Sequence, residues 1–273
     1  MSMSIISSDI IKTATLTAST TAAGYSVNNL KNDKKSSVWR STTITGQVIT
    51  AIFSNSSCSA VGIAFANLIA NSTIRVQFFS DTGGVTQVAD SGVITISAVH
   101  RPPAGFTSNN APSFAYGGGN HFFVDLGATY TIRRIDVTLN NPGGGTDAYL
   151  DVCRVVAGVA DSVRGMLYGA AVKMEDETQL NMAESGDVIV NRLPSRKIID
   201  ATVALLDTEI ATMMGIIRRV GAHTPVFVAG AESYTDDPSR SDLRIYGYID
   251  KSGLDLRKIA PFYDQNNFVI RSI

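Results

Sequence analysis

The side chains that could carry chemistry are few and scattered. Three histidines occur, His100, His121 and His223, and none stands at metal-ligand spacing from another histidine or from a cysteine. Each reads as an isolated surface or hydrogen-bonded side chain. Cys58 and Cys153 lie in apolar strand-like runs and read as buried free thiols. Glu175, Asp176 and Glu177 are consecutive, so on a strand they would face alternate ways and could not converge as an acid–base pair; a solvated turn is the expected reading. Asp236, Asp237 and Asp242 around Pro238 suit an Asp-Pro turn better than a cation site. The glycine runs Gly117–Gly119 and Gly143–Gly145 lack the following Lys-Ser/Thr of a phosphate loop, and no Gly-x-Ser-x-Gly elbow occurs. No catalytic, metal-binding or cofactor-binding set is expected, and the chain is not expected to be an enzyme.

Binding is better provided for than catalysis. Residues 101–120 break the surrounding rhythm and hold Phe106, Asn109, Asn110, Phe114, Tyr116 and Asn120. An irregular loop of about 20 residues is unusual in a compact domain unless it is functional or ordered by a neighbour. Aromatic faces beside amides suit sugar recognition, so these six form the candidate glycan-contacting loop. They also suit pinning the loop to its own sandwich or to a neighbouring subunit, which is the favoured reading. Trp39, the sole tryptophan, is assigned to the core.

The elements around these residues are mostly strands. The chain has 273 residues, 44% hydrophobic and only 17% charged, with a net charge of −1 from 23 basic and 24 acidic residues. That leaves a Ser/Thr/Asn/Gly-rich surface suited to sheets and packed assemblies, and no field to draw the chain to nucleic acid or an anionic membrane. The N-terminus has no basic start before an apolar core, so no signal peptide is expected, and charges in 198–217 argue against a membrane span.

Residues 1–24 are expected to form an N-terminal arm with one edge segment around Ile5–Ile11. Val48–Phe53 is apolar at every second residue on both faces, which predicts a strand buried on both sides. A polar turn at Ser54–Ser57 then leads to an alternating strand at Ala60–Phe65 and another at Ile74–Phe78. Phe122–Leu126 and Ile135–Leu139 repeat that device. Beyond Gly158 the strands become longer and more charged. At Asp207 the period becomes helical, with Ile210, Met213, Met214 and Ile217 on one face, Asp207 or Thr208 as candidate caps, Arg218 and Arg219 in the last turn and Gly221 as the stop. The spacing predicts one helix over about 208–220. The expected fold is mainly β: a jelly-roll β-sandwich over 25–157, then a β-sandwich or barrel domain over 158–273 with one packed helix.

The run Asn29-Leu30, Val38-Trp39-Arg40-Ser41, Asn67-Leu68 and Ile74-Arg75-Val76, with Phe123-Val124-Asp125-Leu126-Gly127, resembles the discoidin-like, galactose-binding-like jelly roll. More specifically it resembles the version in tail proteins of long-tailed bacteriophages. A helix ending in Arg-Arg-Val-Gly, then Thr224–Val228 and Arg244–Gly247, is similar to the C-terminal half of phage tail-tip proteins. The resemblance implies a virion structural protein of the distal tail or baseplate, made in the host cytoplasm. It would partner with itself in a hexameric or trimeric ring and with other tail proteins; a bacterial surface glycan is the alternative ligand. No sugar-binding residue of that family finds a match here, and no cofactor is implied.

Overall fold

The computed structural model describes residues 2–96, 119–142, 147–164, 171–191, 193, 195–230, 243–250, 256–260 and 263–273. The expected mainly β architecture, two antiparallel sheets with one helix, is present. The first sheet is built from β2 (Thr15–Ala18), β3 (Trp39–Arg40), β4 (Gln47–Ala66), β5 (Thr73–Phe79), β6 (Gln87–Asp90), β7 (Ile94–Thr95), β8 (Asn120–Asn140) and β9 (Asp151–Gly158). The second holds β1 (Ser2–Ile6), β10 (Ala160–Arg164), β11 (Ala171–Asp176), β14 (Ser195–Leu206), β15 (Val226–Ala229), β16 (Arg244–Ile249), β17 (Leu256–Ala260) and β18 (Tyr263–Ser272). A separate two-stranded ribbon is formed by β12 (Gln179–Met182) and β13 (Val188–Asn191).

The first sheet folds over on itself because its two longest strands bend together. β4 and β8 pair from Gln47↔Leu139 to Ala66↔Asn120, with a register shift between Ile52 and Ser56. Ser54–Ser57, expected as a turn, is instead the partly exposed bend inside β4, where small polar residues tolerate the loss of ladder bonds. Before the bend β4 lies between β2 and β8; after it, between β8 and β9. The two layers close on a core that includes Trp39, Ile49, Val61, Ile63, Phe78, Val124, Ile135 and Val155. The two repeated devices are partners: Ala60–Ile63 pairs with Phe122–Asp125, and Ile74–Phe78 pairs with Ile135–Leu139.

The expected burial along β4 is reversed. Gln47–Phe53 alternates between buried and half-buried, whereas Cys58–Ala66 is buried on both faces. The cause is a second layer outside the sandwich. Val61 and Ile63 face the sandwich core, while Ala60 and Ala64 face Phe227, Ala229 and Tyr246 of the second sheet. The small residues there let the two sheets approach: a Cβ on Gly62 would come within 2.6 Å of the Phe227 ring, and one on Gly158 within 2.1 Å of the Ser8 carbonyl.

The first 24 residues, set apart as an arm in the sequence, are built into both halves. β1 is an internal strand between β10 and β15, not an edge, because Met3 and Ile5 fill the second core and Ile6 faces the seam. β2 pairs β4 in the sandwich. The second sheet runs in the order β10-β1-β15-β16-β18-β14-β11 around a core capped by α1 (Asp207–Val220), whose Met213, Ile216 and Val220 are fully buried. The helix begins one residue earlier than expected, and neither expected cap is used. Leu206 is the first cap residue, and its amide donates to the Glu209 carboxylate at 2.8 Å. Gly221 ends the helix at φ 56°, with its amide on the Ile217 carbonyl.

Candidate functional site

Three places combine unusual burial, charge or exposure. The first is one end of the sandwich. Here lie two residues that flank the undescribed 97–118: the Ile96 amide bonds the Ser72 carbonyl, and the Asn120 side-chain amide donates to the Leu68 carbonyl at 3.0 Å. Phe106, Asn109, Asn110, Phe114 and Tyr116 lie outside the described residues. Asn120 is buried and engaged with Leu68, so it anchors the start of β8. Beside it, Asn67 donates to the Tyr149 carbonyl and to Asp147, and accepts from the Asp151 amide. The Arg40 guanidinium lies between the rings of Tyr25 and Tyr149, 4.3 and 3.7 Å from their centroids, and grips Asp151 bidentately at 2.8 and 2.7 Å. Hydrogen bonding to Asp151 holds the guanidinium firmly protonated. Sequence reading missed Arg40, Tyr25 and Tyr149, because the partners Tyr149 and Asp151 stand more than 100 positions from Arg40 in the chain.

The second place is the seam between the sheets. Arg154, on β9, is fully buried. It pairs with Asp9, donates to the Leu30 carbonyl at 2.6 Å and approaches Asp33 at 3.2 Å. Tyr246 on β16 donates to Asp33 at 2.6 Å, and Lys12 reaches the other oxygen of Asp33 at 2.9 Å. One network therefore ties β1's exit, the sandwich and the second sheet. Burial pushes Asp9 up against the pull of Arg154 and two amides. Burial also opposes ionisation of Asp33, but the Tyr246 hydroxyl and Lys12 outweigh it and hold Asp33 low. The thiols of Cys58 and Cys153 are buried and free, as expected, and burial pushes both up to about 12.

His121 departs from the expected bland histidine. It is buried between Phe65, at 4.6 Å, and Phe227, at 6.3 Å, and its Nε2 has no hydrogen-bond partner among the described residues. Burial first, then Lys197, Lys35 and Arg244, hold it well below the usual histidine range. Lys35 sits 4.7 Å over the Phe65 ring, and burial lowers it to about 8.

The third place is the ribbon, which lies between β11 and β14 in the chain. Register pairs Leu180 with Val190 and Met182 with Val188, and directly paired residues share a face. Those four side chains make one apolar face, and they are 58–79% exposed. The other face carries Gln179, Asn181, Ile189 and Asn191. The acidic run expected as a turn is partly strand: Glu175 and Asp176 end β11, with Glu175 on Arg271 at 2.8 Å and Glu177 on Arg196 at 3.1 Å. Among the described residues no cluster of three His, Cys, Asp or Glu could hold a metal ion, and no helix is long and apolar enough to cross a membrane.

No protein-family model matches the sequence, and no curated protein matches it. Solved structures do. A chitosan-binding module from a chitosanase/glucanase of Paenibacillus sp. IK-5 is similar at 16% identity and a TM-score of 0.38, over 55% of this chain and 98% of that one. A family 32 CBM from C. perfringens NanJ, solved with galactose, is similar at 12% identity and 0.38, over 57% and 98%. A Streptococcus pneumoniae fucose-binding module is similar at 13% identity and 0.36, over 55% and 94%. The ligands named are those of these modules.

Proposed function

We propose that this chain is a structural subunit that assembles with copies of itself, with the β12–β13 ribbon as its contact arm. The finer reading is a ring-forming protein of the phage tail tip, in line with the sequence resemblance. The observation that supports assembly is the uncovered apolar face of Leu180, Met182, Val188 and Val190. An isolated two-stranded ribbon is marginal in water, and a contiguous apolar face on it is a contact surface or an aggregation hazard. Covering each of these side chains is worth roughly 1–2 kcal/mol. A ring needs two different, complementary patches on each subunit, and an arm meeting a body supplies that geometry. The test is solution mass by light scattering. The intact chain is expected to form a discrete oligomer, and Leu180→Asp with Val190→Asp to give a folded monomer. An oligomer untouched by that pair removes the arm from the account.

A second reading, glycan binding by the sandwich, is favoured by the half-exposed Tyr25–Arg40–Tyr149 stack, whose aromatic faces stand beside amide side chains such as Asn67. Glycan-array binding that is lost with Phe114→Ala or Tyr116→Ala supports it; a blank array for the intact chain removes it.

A further inference from the structure

We propose that the arm of one copy docks on the outer face of α1 of a second copy. Its apolar face would meet Ile210, Met214 and Ile217, and its acidic turn would meet Arg218. The proposal rests on the assembly reading and adds where the arm lands.

Charge is the first argument. From Met174 to Asn191 the chain carries five acids, Glu175, Asp176, Glu177, Glu184 and Asp187, and no lysine or arginine. Glu175 and Glu177 at the base are paired with Arg271 and Arg196. Glu184 and Asp187 at the turn are exposed. An acidic, apolar arm selects a basic, apolar landing site, because like charges at a contact are penalised.

The helix supplies one. Ile210, Met214 and Ile217 lie at i, i+4 and i+7 and are half-buried, forming a stripe along the edge of the face that packs on the second core. Arg218 is exposed just beyond it. Arg219 is engaged within its own chain, with Ser7 at 2.8 Å and Asp161 at 3.8 Å, so it is left out of the contact.

Order and size agree as well. Toward the tip, the arm reads Leu180/Val190, Met182/Val188, then Glu184 and Asp187. Toward its C-terminus, the helix reads Ile210, Met214, Ile217, then Arg218. The apolar part of the arm is about 7 Å long at strand rise, and the helical stripe about 10 Å at helical rise. The four arm side chains remain 58–79% exposed in their own chain, so that chain does not cover them. The contact joins two different patches, the heterologous kind that closes rings.

The test is charge exchange in the full-length chain, read as the association midpoint by mass photometry with circular dichroism as the folding check. Glu184→Arg should weaken association about ten-fold, and Arg218→Glu should do the same. The two changes together restore opposite signs and should recover the midpoint to within about three-fold. Rising salt should weaken the intact chain and the double variant alike. If reversal at the arm weakens association while reversal at the helix does not, or if the double variant fails to recover, the landing site is refuted and the assembly reading stands. A folded, intact chain that remains monomeric at high concentration refutes both.

Discussion

Substituting Asp9→Asn tests how the two sheets are held together. Asp9 is the carboxylate partner of the fully buried Arg154, and it accepts from the Ile11 and Ala157 amides at 3.0 and 3.1 Å. Asparagine keeps the size and one acceptor oxygen but removes the charge. Losing one partner of a buried pair costs about 3–5 kcal/mol, because the remaining charge stays out of water. Asp33, 3.2 Å from the Arg154 Nε, offsets part of this, so the expected loss is near the lower limit, about 3 kcal/mol. For a chain of this size that is a fall in Tm of roughly 6–12 °C. The companion variant, Asp9→Asn with Arg154→Met, removes both charges, keeps an acceptor oxygen for the Ile11 and Ala157 amides, and should recover part of the loss. Differential scanning calorimetry reads both. A single variant within about 1 kcal/mol of the parent, or a double variant no better than the single, would refute the view that a buried charge pair joins the sheets.

Two further outcomes follow from the same seam. His121 is held well below its ordinary range by burial first and then by Lys197, Lys35 and Arg244. The unfolded chain takes up a proton below about pH 6.5 and the folded chain does not, so this contribution is intact above pH 6.5 and stability falls as pH drops below it. The slope from this one group reaches up to about 1.4 kcal/mol per pH unit, and His121→Phe should flatten that part of a urea-unfolding series between pH 5 and 7. Gly62→Val should cost roughly 1–3 kcal/mol by overpacking, since even a Cβ at 62 would meet Phe227 at 2.6 Å, whereas Val48→Ala, on the half-exposed face of β4, should cost well under that in the same denaturation assay.

Where a feature depends on neighbours in sequence, it was legible. The α1 pattern at Ile210, Met213, Met214 and Ile217 places the helix to within one residue, and the alternation at Ile74–Phe78 and Ile135–Leu139 marks paired strands of the sandwich. Features set by distant packing were not. Ser54–Ser57 has the composition of a turn, yet β4 runs through it because β8 stays alongside. Ala60, Gly62 and Ala64 look like the weak side of an alternating strand. Their smallness is what admits Phe227, a residue more than 160 positions away. Ile5–Ile6 reads as an edge because nothing nearby in sequence shows that β10 and β15 flank it. Of the candidate loop residues only Asn120 is described, and an exposed asparagine cannot be told from a buried one by sequence. Likewise Leu180 and Met182 alternate with Gln179 and Asn181 as any half-buried strand does, and Val188-Ile189-Val190 is apolar throughout. Alternation shows that one face is dry, and leaves open whether the cover comes from the same chain or from another.

The central claim is that this cover is a second copy of the chain, and solution mass tests it most directly. Sedimentation velocity of the intact protein across a hundred-fold concentration range should show a discrete oligomer that becomes a folded monomer with Leu180→Asp and Val190→Asp. A single species at the 29.0 kDa chain mass throughout, with the ribbon's apolar face still open to solvent, would contradict it.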